Sequence, residues 1–122
     1  MDVSLNTIMI YAKDMHRTAE FYRKFFGFKT SGEVVDGLIE LKSPTKGMTL
    51  LIHQAAKSIK LGQASVKLVF SVQDIDDFKS RSSELGLAFG STHQANGYSF
   101  ANAKDPDKNT VSISSRNFRK NA

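Results

Sequence analysis

Apolar and polar residues alternate along "TIMIYA" (7–12) and again along "KLVFS" (67–71), and each run leads to an Asp that opens a helical pattern. Such alternation predicts a strand with one packed face. After Asp14, residues Met15, Ala19, Tyr22, Phe25 and Phe26 recur at helical spacing and form one apolar stripe, with Phe21 slightly off it. After Asp74, Ile75, Phe78, Ser82 and Leu85 make a weaker version of the same stripe. Asp14 and Asp74 suit the N-cap position, because a carboxylate accepts from the unpaired amides of the first turn and complements the helix dipole. Gly27 and Gly86 are placed to end the two helices in the left-handed conformation.

Strand-like pieces follow each helix. In the first half they are "FKTSGEVV" (28–35), "GLIELK" (37–42) and "MTLLIHQ" (48–54), separated by "DG" and "SPTKG" turns. In the second half they are "LAFGST" (87–92), "GYSFANA" (97–103) and "TVSISS" (110–115), separated by "HQAN" and "KDPDKN". Asp14 and Asp74 lie 60 positions apart, and Gly27 and Gly86 lie 59 apart, so the offset holds across strand, cap, helix and stop. A shared offset of this kind marks an internal duplication. The order is β-α-β-β-β, twice. The chain therefore reads as one domain over 1–122, with module one at about 5–54, a polar linker at 55–64, module two at about 65–115 and a tail at 116–122.

Composition narrows the chemistry. With no Cys among its 122 residues, the chain has no disulfide, thiolate metal site or cysteine nucleophile. No apolar run reaches the ~20 residues of a membrane span. The N-terminus "MDVSLNTIMI" lacks the basic start of a signal peptide, so a soluble, cytoplasmic protein is expected. Lys and Arg exceed Asp and Glu by 17 to 12, for a net charge of +5. These cations are scattered, and "RNFRK" (116–120) is the nearest thing to a cluster. Nucleic-acid binders concentrate charge on one element and interleave aromatic platforms, so neither a nucleic-acid nor a membrane partner is expected. A modest attraction for anionic small molecules fits better.

Three stretches, "AEFYRKFFGF" (19–28), "FSVQDID" (70–76) and "DPDKN" (105–109), in this order and within a duplicated βαβββ unit, resemble the vicinal oxygen chelate superfamily. That superfamily includes glyoxalases, bleomycin-resistance proteins and extradiol dioxygenases. The last stretch is similar to its "DPDGN" turn with Lys108 in the Gly position. The resemblance covers residues 5–115 and implies an α+β fold. In it, two tandem βαβββ modules form curved mixed sheets around a cavity, with helices on the convex faces. It also implies a homodimer. Strand alternation within this fold directs Ile8, Ile10 and Ala12 to the first helix and Thr7, Met9 and Tyr11 to the cavity. In the second half, Leu68, Phe70 and Val72 face the helix, and Lys67, Val69 and Ser71 face inward.

Metalloenzymes of this superfamily carry His, Gln or Glu at four cavity-facing strand positions. Aligned on Asp14 and Asp74, two of these fall on Thr7 and Lys67. Counting from "DPDKN", the acidic position falls on Ser112, and its first-half partner, aligned through Pro44 and Pro106, falls on Leu50. Divalent metals in such sites want imidazole or carboxylate, so no metal and no cofactor is expected. The remaining histidines, His16 beside a helix cap, His53 late in a strand and His93 in a turn, show no ligand spacing. Glu33 and Glu40, flanking the "DG" turn, are read as solvated strand charges.

The expected binding surface combines Met48, Leu50 and Ile52 with Tyr11, Tyr98 and Phe100. Thr7, Asn102, Ser112 and Ser114 would supply hydrogen bonds, Met9 and Val69 would fill the remainder, and Lys67 would be a cationic anchor for a carboxylate or phosphate. "EFYRKFF" (20–26) is read as core packing and "SPTKGM" (43–48) as a plain turn. The function expected from the resemblance is metal-free binding of a small organic molecule, as in antibiotic or metabolite sequestration. The alternatives are a metal-dependent lyase or dioxygenase with non-standard ligands, which would draw on His53, His93 and Glu40, a metal-free isomerase, or a homodimer with a structural or regulatory role.

Overall fold

The computed structural model describes residues 3–120, which fall into two compact units dividing after Gln63. Residues 121–122 of the expected tail lie outside the described residues. The first unit runs β1 (Thr7–Ala12), α1 (Met15–Phe26), β2 (Leu38–Leu41) and β3 (Thr49–Gln54). Its sheet has the order β1-β3-β2, with β3 parallel to β1 and antiparallel to β2. Parallel neighbours need a crossover, and α1 lies within that connection.

Asp14 caps α1 by accepting from the amides of His16 and Arg17, and Gly27 ends the helix at φ 73°. The junction is held further by Gln54 at the end of β3. Its Oε1 accepts from the Met15 amide at 3.2 Å, and its Nε2 donates to the Lys13 carbonyl. Phe21 and Tyr22 are buried while Phe25 and Phe26 are only half-buried, which corrects the expected stripe. The helix presents its middle, not its last turn, to the sheet.

Register settles which residues form the packed face. Ile8 pairs with Leu50 and Ile10 with Ile52, and β2 sets Ile39 opposite Ile52 and Leu41 opposite Leu50. Paired residues share a face, so Leu50 and Ile52 belong with Ile10, Ile39 and Leu41 in the core. This overturns their expected place on the open face. The cause is one extra residue between Pro44 and β3 relative to the stretch between Pro106 and the matching strand. An odd shift flips every side chain to the other face. Met48 precedes β3 and is half-buried.

The expected strand at 28–35 is reduced to two isolated bridges, Lys29 with Lys42 and Val35 with Leu38. Thr30 and Ser31 turn the chain instead, their hydroxyls accepting from the amides of Gly32 and Glu33. Asp36 and Gly37 both take positive φ, 52° and 78°, as a two-residue hairpin turn demands.

The second unit runs β4 (Lys67–Ser71), α2 (Ile75–Glu84), β5 (His93–Gln94), β6 (Ser99–Lys104) and β7 (Thr110–Ser114), followed by a single 3-10 turn, Arg116–Phe118. Its sheet has the order β4-β7-β6-β5, with β4 and β7 parallel and the other pairs antiparallel. Leu68 and Phe70 on β4, Ala101 and Ala103 on β6, and Val111 and Ile113 on β7 share the packed face, in register. Asp74 accepts from the Asp77 amide, and Gly86 follows the helix at φ 103°. Leu85, expected on the apolar stripe, is half-exposed, so the helix buries little beyond Ile75, Ser82 and part of Phe78. "LAFGST" (87–92) forms no strand, and the ladder forms at His93–Gln94, inside the expected turn. Both units are mixed sheets with a helix, the α+β arrangement expected of each half.

Candidate functional site

In the first unit the open face of the sheet follows directly from register. Thr7, Met9 and Tyr11 on β1 stand beside Thr49, Leu51 and His53 on β3, and Leu38 and Glu40 of β2 lie beyond. Thr7, Met9 and Tyr11 are exposed. The Tyr11 and His53 rings lie 5.2 Å apart at 44°. His53 Nδ1 is 2.7 Å from the Gln54 carbonyl, which can only accept, so this contact requires a proton on Nδ1. A shallow groove of about 770 Å³ on this unit is lined by Lys29, Thr30, Glu33, Leu38, Glu40 and Leu51, among others. Its charges are of both signs, and Glu40 meets Lys42 at 3.9 Å in an exposed pair.

The second unit carries the more organised face. Lys67, Val69 and Ser71 on β4 share it with Thr110, Ser112 and Ser114 on β7 and with Phe100 and Asn102 on β6. Lys67 Nζ donates to Asn102 Oδ1 at 3.2 Å and lies 5.2 Å from the centre of the Phe100 ring. His93 stacks on the same ring, with its centroid 5.2 Å from Phe100 and a 30° interplanar angle. Tyr98 continues the row, 6.5 Å from Phe100. The result is an aromatic row, His93–Phe100–Tyr98, with an ammonium over its middle ring. A cation held over an aromatic face is attracted by the ring quadrupole.

Ser112 and Ser114 lie on this face by register but do not serve as ligand handles. Both are buried, at 2% and 6% exposure. The Ser112 hydroxyl donates to the Ala101 carbonyl at 3.1 Å, and Ser114 Oγ accepts from the Arg116 amide at 3.2 Å. A short side chain on the central strand sinks between longer ones on both neighbours, which is what Val69 and Asn102 do around Ser112.

The four metal positions can now be read from pairing instead of turn counting. Met9 pairs with Leu51, as Val69 pairs with Ser112. The first-unit partner of Ser112 is therefore Leu51, and Leu50 is corrected. The set becomes Thr7, Leu51, Lys67 and Ser112, two hydroxyls, a hydrocarbon and a cation, which do not fit a divalent metal. Among the described residues, no three His, Asp or Glu side chains come together in a way that could hold a metal ion.

The "DPDKN" turn is braced by its own side chains. Asp105 is buried and accepts from the amides of Asp107 and Asn109 and from Asn109 Nδ2, at 2.8–2.9 Å. Lys108 takes φ 67°, the left-handed conformation that Gly would supply at lower cost. What sequence reasoning missed was the pairing of His93 with Phe100 and of His53 with Tyr11. Both join residues on different strands, and only the β5 ladder brings His93 into the sheet.

Among the described residues no helix is long and apolar enough to cross a membrane. A model of the Glyoxalase/Bleomycin resistance protein/Dioxygenase superfamily matches residues 4–113. A search of curated proteins found no match. Among solved structures, the chain is similar to TnmS3, an antibiotic binding protein from Streptomyces sp. CB03234, at 19% identity and a TM-score of 0.76, covering 93% of this chain and 96% of that one. It is similar to a lactoylglutathione lyase from Agrobacterium tumefaciens at 21% identity and a TM-score of 0.71, covering 93% and 94%. A virulence protein from Salmonella typhimurium matches at 20% identity and a TM-score of 0.73, covering 93% and 97%. At these identities the likeness speaks for the fold, and one fold here carries proteins of different kinds.

Proposed function

The chain belongs to the Glyoxalase/Bleomycin resistance protein/Dioxygenase superfamily, and we propose that within it this protein binds a small, planar organic anion without transforming it. The observation that carries this reading is the Lys67 contact. The ammonium sits 5.2 Å over the Phe100 ring and hydrogen-bonds Asn102, and among the described residues no carboxylate pairs with it. A ligand ring laid along His93 and Phe100 would gain stacking worth about 0.5–1.5 kcal/mol per aromatic contact beyond burial. Its carboxylate would give Lys67 the anionic partner it lacks. The likeness to an antibiotic binding protein supports binding as a use of this fold. The donor set of Thr7, Leu51, Lys67 and Ser112 supports binding over metal-dependent turnover.

The test is thermal unfolding of the purified protein with a panel of aromatic carboxylates (benzoate, salicylate, naphthoate) and their neutral amides. A carboxylate near 100 times its dissociation constant adds about 2.7 kcal/mol of stability. Carboxylates are expected to raise Tm more than amides do, with Lys67→Ala removing that preference and Phe100→Ala weakening both by roughly tenfold. The reading fails if no compound stabilises the protein, or if Lys67→Ala leaves the carboxylate preference intact. Conversion of any ligand over time would put an enzyme in its place.

A further inference from the structure

The basic C-terminal run "RNFRK" (116–120) is unused by the face just described, and in the fold it is not a dispersed tail. Ser115 ties it to β6. Its amide donates to the Ser99 carbonyl, and its Oγ accepts from the Ser99 amide, each at 3.0 Å. Asn117 Nδ2 donates to Ser71 Oγ at 2.8 Å. These bonds bring the segment beside the Asn96–Gly97 turn, where Gly97 takes φ 82° and the Ala95 amide closes the turn on the Tyr98 carbonyl. A Cβ built on Gly97 would lie 4.0 Å from Arg119 Cβ.

Two guanidiniums converge there on one ring. Arg116 Cζ lies 6.0 Å and Arg119 Cζ 5.7 Å from the centre of Tyr98. Arg119 and Lys120 then line a groove of about 430 Å³ with Asn96 and Gly97. No carboxylate pairs with Arg116, Arg119 or Lys120 among the described residues, and Arg119 Nε is buried without a hydrogen-bond partner. One arginine on a tyrosine is ordinary stacking. Two on the same ring, with a lysine in the adjoining groove and no acid, repel one another, and burying part of a guanidinium removes water that would screen the charge.

We infer that this groove binds a phosphate-type oxyanion, with Arg119 and Lys120 as its lining contacts and Arg116, which stacks on the same Tyr98 ring, adding positive charge nearby. Planar guanidinium forks match the oxygens of a tetrahedral oxyanion, which accepts from two donors at once. The turn supports access, since Gly97 puts no side chain between Asn96 and Arg119. Two sources share this chemistry, free inorganic phosphate and the phosphate ester of a small aromatic molecule whose ring would meet Tyr98. The site uses none of Lys67, Phe100 and His93 and shares only Tyr98 with the aromatic row, so its anion contacts are tested separately from the carboxylate site.

The experiment is an NMR titration of the full chain with inorganic phosphate and, separately, phenyl phosphate. It follows the Arg119 Nε–H resonance, which burial protects from exchange, and the Gly97 amide. Both signals are expected to move saturably, with the Gly97 response lost in Arg119→Gln and weakened several-fold in Arg116→Gln. Saturation at lower phenyl phosphate than phosphate would assign an aryl ester as the ligand, and equal concentrations would assign the free ion, either result supporting the site. No saturable movement with either probe overturns it. A Gly97 response unchanged in Arg119→Gln, whose folding the rest of the spectrum reports, overturns it as well.

Discussion

Helix α1 meets its sheet with Met15, Thr18, Ala19, Phe21 and Tyr22 all buried, and its Asp14 cap takes two backbone amides. Helix α2 buries only Ile75 and Ser82, and its Asp74 cap takes one. The open faces differ in the opposite sense. The first unit offers Met9, Leu51 and the exposed Tyr11–His53 pair. The second offers a cation over a three-ring row, with the Lys67–Asn102 bond bracing it. The better-packed unit thus carries the plainer surface, and the more loosely packed one gathers the groups with recognisable chemistry. Duplication kept caps, stops and register, all of which act through the backbone, while the outward positions were left to diverge.

The sharpest way to break that comparison is in the cores. Tyr22→Ala empties a fully buried site and is expected to cost about 3–5 kcal/mol, whereas Phe78→Ala, on the half-buried side of α2, should cost about 1–3 kcal/mol. Denaturant unfolding of both variants reads the difference, and equal costs would mean that the helices pack alike. A middle-sized effect is expected at Lys108, which holds φ 67° in the second unit's turn. Lys108→Gly relieves left-handed strain of about 1–2 kcal/mol and loses part of that to a more flexible unfolded chain, a net gain of about 0.5–1 kcal/mol. A drop in stability would show that the lysine side chain has a role of its own.

The smallest effect belongs to the surface of α1. The Arg23 guanidinium donates to Glu20 at 2.5 and 2.7 Å and holds the Glu20 carboxyl below its usual value. A carboxylate with a lowered folded pKa stabilises above its unfolded pKa, and that contribution is lost as pH falls through the folded one. Glu20→Gln should therefore be slightly less stable than the parent at neutral pH and equal to it in acid. Because the pair lies exposed on the surface, added salt should shrink the gap. A gap that widens toward low pH would reverse the assignment.

Much of the frame was legible because it rests on short-range rules. Asp14 and Asp74 as caps, Gly27 and Gly86 as stops and the alternation of β1 and β4 each depend on neighbours a few positions away. The misplaced residues all depended on pairing at long range. Leu50 and Ile52 were assigned to the open face by counting from a turn whose partner is one residue shorter. A two-residue ladder has no periodicity to detect, so the stretch around His93 reads as a turn. Phe21 and Leu85 changed places with respect to the core because the tilt of a helix on its sheet is not written in its own stripe.

By itself, the sequence determined the duplicated strand–cap–helix–stop frame, the superfamily, and the lack of imidazole or carboxylate at Thr7, Lys67 and Ser112, since residue type and local spacing are enough for each. Tertiary structure alone decided that Leu51 completes that set, that Ser112 and Ser114 are sealed, and that Lys67 reaches Phe100 and Asn102 from another strand. It also decided that Arg116 and Arg119 meet at Tyr98. The physical reason is common to the first three. Which strands lie side by side, and in which register, is fixed by burying one face of the whole sheet, a condition no short window of sequence contains.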